Sequence, residues 1–301
     1  MKQLLLTITL ITGLLTSPII QSSAQTIIIS FDKNPSSIAS STINSLTSSI
    51  KTLQENKTDS SDFNMGNIID DYNIYNLPDK FNSPDKIKTY LKSQGSFLAD
   101  YKVEIGFEDD DDLWNTPSIK QNIGNLAGTK IDFSELIWKI TQTEMSNSCS
   151  FINKNTCIDQ RQRPINPAVV LALIQRESGL IRGRNAKANP NSDNIKFLLE
   201  RSTGYLCTDS ENKNQSCYDQ NPDWKYFKGM FRQVYYGTRL LLINAKRCEL
   251  GIYKNYYIGN TINLDGENIK LENGFTCASY IYTPHILSQK TLYKVYKEIM
   301  L

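Results

Sequence analysis

The chain has 301 residues, of which 40% are hydrophobic and 21% are charged, with 33 Lys and Arg against 31 Asp and Glu. A formal net charge of +2 provides no basic footprint for nucleic acid, so we exclude nucleic acid as a partner. The length suffices for one substantial core and an appendage, and the chain has neither a phosphate-binding glycine loop nor a His-Glu metal motif, which predicts no cofactor and no metal.

The first 24 residues have the pattern of a secretory signal peptide. Lys2 is their only charge, an apolar stretch follows from Leu4 to Leu15, and Ser22 and Ala24 are the small residues expected before a cleavage site. We therefore predict a signal peptide over residues 1–24 and a secreted, periplasmic or cell-envelope protein; an uncleaved anchor is the alternative. After cleavage no segment is expected to span a membrane.

Residues 25–81 are weakly patterned. "TIIISF" from Thr26 indicates a short strand, and the Ser/Thr-rich stretch over residues 36–53 indicates an amphipathic helix, followed by a linker-like segment. We interpret residues 25–81 as a stalk or a loosely docked segment, and residues 82–301 as the main domain with its core over 132–301.

Helix signals become clear from Ser83, which suits an N-cap before Pro84. Asp132 and Glu135 have capping-box spacing before a second amphipathic stretch. Asn166, Pro167 and Gly179 then frame a third helix, as N-cap, first-turn residue and stop. Apolar spacing predicts two more, from about Trp224 to Lys246 and over the last 16 residues, "ILSQKTLYKVYKEIML". Residues 252–266, with their Asp-Gly turn, indicate one small β-hairpin, so we predict a mainly α fold.

Six cysteines all lie in the second half of the chain. In an exported protein an even number of cysteines favours disulfides, and no histidine lies near them in a zinc-ligand pattern. The connectivity stays open; the simplest hypothesis joins neighbours along the chain, giving Cys149–Cys157, Cys207–Cys217 and Cys248–Cys277.

Glu177 is the candidate site residue. It shares the helical face of Val170, Leu173 and Ile174 and comes at the C-terminal end of the helix. Burial and the helix dipole both favour the protonated carboxyl there, as a general acid requires. The alternative is a buried Glu paired with a Lys, an Arg or a Tyr hydroxyl.

Four segments carry a resemblance to a known family. "INPAVVLALIQRESGLI" over 165–181 resembles the catalytic helix of the lytic transglycosylase and goose-type lysozyme superfamily. "RSTGYLC" over 201–207, "FKGMFRQV" over 227–234 and "ASYIYTPHI" over 278–286 resemble, in the same order, its Gly-Tyr-Gly-Cys, Gly-Leu-Met-Gln and Tyr-rich motifs in a secreted bacterial branch. Segment 227–234 has one residue more than the family motif between its glycine and Gln233. In segment 201–207, Leu206 replaces the second glycine of the family motif.

The resemblance implies a lysozyme-like, disulfide-stapled monomer that cleaves the β-1,4 MurNAc–GlcNAc bonds of peptidoglycan, its glycan strands being the partner. Glu177 would be the catalytic acid and base, and Ser178 would orient it or the substrate. The implied substrate-binding residues, which would line or contact the glycan cleft, are Tyr205, Gln233, Tyr280 and Tyr282.

Two questions stay open in the sequence. The first is whether a second carboxylate, for which Asp193, Glu200 and Asp209 are candidates, supports hydrolysis, or whether Glu177 acts alone in the transglycosylase reaction, which yields an anhydro sugar. The second is whether the scaffold is catalytic at all, the rival being a non-catalytic glycan-binding or adhesin-type protein. His285, the only histidine, is interpreted as structural.

Overall fold

A computed structural model describes residues 62–106, 126, 128–142, 164–206 and 226–301, together with the backbone of two short strands nearer the N-terminus. The chain divides into two compact units, Met1–Ser61 and Asp62–Leu301. In the first unit, β1 (Leu6–Ile8) pairs antiparallel with β2 (Ile27–Ile29). The strand predicted in "TIIISF" is therefore confirmed, whereas the helix predicted over residues 36–53 lies outside the described residues.

The second unit begins at Asp62, earlier in the chain than the domain boundary predicted between residues 81 and 82. Ile68, Ile74 and Phe81 are fully buried in its core, so the end of the predicted stalk segment belongs to the compact unit. These residues lie in or beside elements too short to show a hydrophobic period, namely α1 (Asp71–Tyr75) and a single 3₁₀ turn (Asp79–Phe81).

The second unit is mainly helical, as predicted. After α1, its helices are α2 (Pro84–Ser93), α3 (Phe133–Gln142), α4 (Pro167–Ser178), α5 (Asp193–Glu200), α6 (Met230–Glu249), α7 (Gly274–Tyr282) and α8 (Ile286–Met300). Its strands are β3 (Lys102–Glu104), β4 (Lys130–Asp132), β5 (Thr261–Leu264) and β6 (Glu267–Lys270). No helix in the described residues is both long and apolar enough to cross a bilayer.

Helix α4 is the centre of the core. Every residue from Ala168 to Ile174 is at most 1% exposed, and the helix packs against α3, α6 and α8. Its ends are those the sequence predicted: the Asn166 side chain accepts a hydrogen bond from the Ala168 amide at 2.9 Å, and Gly179 ends the helix at φ +68°. Burying each large aliphatic side chain contributes about 1.5–3 kcal/mol, so this helix is fixed firmly in place.

Helices α6 and α7 pack against each other and are joined by the disulfide Cys248–Cys277. This pair is one of the three predicted by adjacency and is confirmed. Cys149, Cys157, Cys207 and Cys217 lie outside the described residues.

The predicted hairpin is formed by β5 and β6, with Leu264 opposite Glu267. Asp265 and Gly266 both have positive φ, 51° and 85°, as a two-residue type I′ turn requires. The Asp265 carboxylate also accepts a hydrogen bond from the Ile286 amide at 2.8 Å and so caps α8 from outside that helix. A second hairpin, β3 with β4, was not predicted.

Candidate active site

Glu177 lies in the last turn of α4, where the helix emerges from the core. Its side chain is 21% exposed, whereas the aliphatic residues that share its face are fully buried. The carboxylate is therefore anchored by a rigid helix and remains reachable from solvent.

The preceding residue, Arg176, forms an ion pair with Glu177. Its Nε and Nη2 atoms lie 2.7 and 2.5 Å from the same carboxylate oxygen, Oε1, and Nη2 also donates to Thr283 Oγ1 at 3.3 Å. The pair is the alternative that the sequence left open. It leaves the second oxygen, Oε2, without a hydrogen bond from any described residue.

Gly204 lies against that second oxygen. Its backbone has φ +70°, and a Cβ atom built on it would be 2.9 Å from Glu177 Oε2 and 3.3 Å from Glu177 Cδ. Both the left-handed conformation and the close approach require glycine here. The backbone at Gly204 therefore packs directly against the carboxylate of Glu177.

Tyr282, at the end of α7, is a further residue of the site. Its hydroxyl donates a hydrogen bond to the Thr203 carbonyl at 2.7 Å. Burial raises the pKa of this hydroxyl first, and the nearby negative charge of Glu177 raises it further. Tyr282 is thus an electrostatic neighbour of Glu177, and its hydroxyl proton is engaged by Thr203.

Gln233 has a different position from the one the resemblance implied. Its side chain is fully buried in α6 and does not reach a cleft surface. The amide nitrogen donates to the carbonyls of Tyr205 (3.1 Å) and Phe227 (2.9 Å), and the amide oxygen accepts from the Tyr205 amide (3.1 Å) and the Thr203 hydroxyl (3.3 Å). The predicted sugar contact is wrong, because Gln233 instead holds the Thr203–Tyr205 loop in place.

Two further predicted substrate contacts are corrected. Ser178 is 4% exposed and its hydroxyl donates back to the Ile174 carbonyl at 2.7 Å, so it orients neither Glu177 nor a substrate. Tyr280 is fully buried on the core side of α7, donates to the Met65 carbonyl at 3.1 Å, and has its pKa raised to about 12 by burial. A helix turns by about 100° per residue, which separates Tyr280 from Tyr282.

Tyr205 is half-buried at the edge of the site. It stacks on Tyr236, with ring centroids 5.6 Å apart and planes at 19°, and meets Phe227 edge-on at 5.4 Å. Burial raises the pKa of its hydroxyl. An aromatic cluster of this kind provides a rigid wall, which is compatible with the predicted stacking role.

In the described part of the chain, Glu177 is the one carboxylate that raises the pKa of the neighbouring Tyr282 hydroxyl; Arg176 and the Tyr205 hydroxyl also act on it. Of the candidates for a second carboxylate, Asp193 is fully exposed at the start of α5, with Lys196 as its partner at 3.8 Å, and Asp209 lies outside the described residues.

Sequence reasoning missed Arg176, Thr203 and Thr283. Successive helical residues do not normally face each other, so adjacency gave no signal for the Arg176–Glu177 pair. Comparisons with protein-family models, with curated proteins and with solved structures found no match for this chain.

Proposed function

We propose that the chain cleaves the β-1,4 MurNAc–GlcNAc bonds of peptidoglycan, with Glu177 as general acid and base. The observation that supports this proposal most strongly is convergence around one carboxylate. Four segments that are distant in sequence contribute Glu177, Gly204, Gln233 and Tyr282, and they are the segments whose motifs resemble the lytic transglycosylase and lysozyme superfamily.

In the proposed mechanism the two carboxylate oxygens have different tasks. Arg176 holds Oε1, so Oε2 carries the proton that passes to the glycosidic oxygen. Proton transfer of this kind contributes about 10²–10⁴-fold in rate.

The transglycosylase reaction fits a site with one carboxylate. Glu177 protonates the leaving oxygen as the bond from that oxygen to C1 of MurNAc breaks. The 6-hydroxyl oxygen of the same sugar then bonds to C1, and its proton returns to Glu177, so no water is consumed. An inverting hydrolase would need a second carboxylate to activate water, and the described residues around Tyr282 include none besides Glu177.

Glu177→Gln tests the assignment because it keeps the shape of the side chain and removes its acid. We expect turbidity clearance of purified cell walls to fall by about 10²–10⁴-fold relative to the wild type. Glu135→Gln is the matched control, since this Glu on α3 is 41% exposed and pairs with Lys139. Equal clearance by the wild type and Glu177→Gln would remove Glu177 from the mechanism.

Mass spectrometry of the released fragments separates the two reactions. The transglycosylase product is lighter than the hydrolysis product by one water molecule. Fragments that retain this water would contradict the single-carboxylate mechanism and leave general-acid catalysis by Glu177 intact.

The Arg176–Glu177 pair also favours a second candidate, a non-catalytic glycan-binding protein, because the carboxylate is already engaged in an ion pair. Such a protein would co-sediment with purified walls without clearing them. Co-sedimentation by both the wild type and Glu177→Gln, with clearance by neither, would support this candidate.

A further inference from the structure

The pairing of Arg176 with Glu177 is unusual for successive residues of a helix, whose side chains point about 100° apart. Here the guanidinium is fixed from the other side, by the Thr283 hydroxyl at the end of α7. The Arg176 side chain is 4% exposed and that of Glu177 is 21% exposed, so the arginine is the anchored member of the pair.

Burial makes this arginine dependent on its carboxylate partner. Its Nη1 atom is buried and has no hydrogen-bond partner among the described residues. Separating a buried ion pair leaves an uncompensated charge, which is strongly unfavourable, so Arg176 is held against Glu177 Oε1.

We infer that Arg176 is a positioning residue, which holds the Glu177 carboxylate through Oε1 and fixes its orientation at the end of α4. The inference rests on the proposed function for its catalytic consequence. The other titratable or charged groups near the carboxylate are Tyr282 from α7 and, beyond it, Tyr205 from the 201–206 loop and Arg239 from α6.

Two substitutions test the positioning role of Arg176. Arg176→Lys keeps the charge and loses the fork of two donors, so it is expected to lower kcat by about 10–100-fold with little change in KM. Arg176→Gln removes the charge as well and is expected to lower kcat at least as much, again with little change in KM.

A control identifies a merely structural role. Arg182→Gln removes a positive charge that pairs with Glu298, and it is expected to leave kcat unchanged. If Arg176 only supports folding, its variants will lower the amount of folded protein while the folded fraction keeps the wild-type kcat, which would overturn the inference.

A measurement independent of activity distinguishes this inference from the proposed function. The side-chain carboxyl carbon of Glu177 can be observed by ¹³C NMR at one neutral pH and assigned by its loss in Glu177→Gln. A changed chemical shift of this carbon in Arg176→Lys and Arg176→Gln, and not in Arg182→Gln, supports the contact even if the protein clears no walls, in which case the proposed function alone fails. An unchanged chemical shift in both Arg176 variants refutes the contact even if Glu177→Gln is inactive.

Discussion

Gly204→Ala places a methyl group between the loop and the candidate catalytic carboxylate. The new Cβ would lie 2.9 Å from Glu177 Oε2, whereas ordinary contacts of carbon are about 3.5 Å, so the carboxylate has to move by about 0.5–1 Å. A misplacement of about 1 Å at a reacting group costs up to about 100-fold in rate. We therefore expect wall clearance to fall by about 10–100-fold.

The same substitution also strains the backbone, because Gly204 has φ +70°. Gly183 provides a matched control: it has φ +85°, and a Cβ added there would meet nothing within 4 Å, so Gly183→Ala introduces the backbone strain alone. Each variant is expected to lose about 1–2 kcal/mol of stability, which lowers Tm by about 2–8 °C in a unit of this size.

The assay compares clearance of purified walls at a temperature where both variants are folded, with Tm measured by circular dichroism. Only Gly204→Ala is expected to lose activity beyond what its lost stability explains. Full activity in Gly204→Ala, or equal losses in the two variants, would refute the argument that Gly204 fixes the position of Glu177.

Two further predictions concern the frame of the site and its acid stability. Gln233→Leu removes the four side-chain hydrogen bonds by which Gln233 holds the Thr203–Tyr205 loop. It is expected to lower the free energy of unfolding in urea by about 3–5 kcal/mol; a loss below about 1 kcal/mol would contradict this role. The carboxyl of Asp132 has a lowered pKa because it hydrogen-bonds Lys102 and Lys88. Its stabilisation is complete above its unfolded pKa of about 3.9 and is lost as the pH falls through the lower folded value. The wild type should therefore exceed Asp132→Asn in unfolding free energy at neutral pH, with the difference starting to shrink below about pH 4 and vanishing only below the lower folded pKa; a constant difference would exclude the linkage.

Local signals predicted the helix that carries Glu177 from end to end. Asn166, Pro167 and Gly179 act through backbone geometry and hydrogen bonds within a few residues, and the structure has each in its predicted role. The Asp265-Gly266 turn was predicted for the same reason, since both positions need positive φ.

Residue roles inside the site were predicted less well, because motif position does not say which way a side chain points. Gln233, Ser178 and Tyr280 lie within segments that do converge on the site, yet each is buried and bonded to backbone. Burial and bonding partners follow from how the helices and the 201–206 loop pack together. Spacing along the sequence therefore could not distinguish a residue that holds the loop in place from one that contacts a substrate.

The sequence by itself determined the helical class, the boundaries of α4 and the position of Glu177 at its end, because hydrophobic period and capping chemistry are local. Tertiary structure decided the electrostatics of that carboxylate. The guanidinium of Arg176 is held beside it by a hydrogen bond to Thr283 at the end of α7, and Gly204 lets the 201–206 loop approach its other oxygen closely. The charge state and reach of a side chain depend on every element packed around it, and that packing is fixed only when the whole core forms.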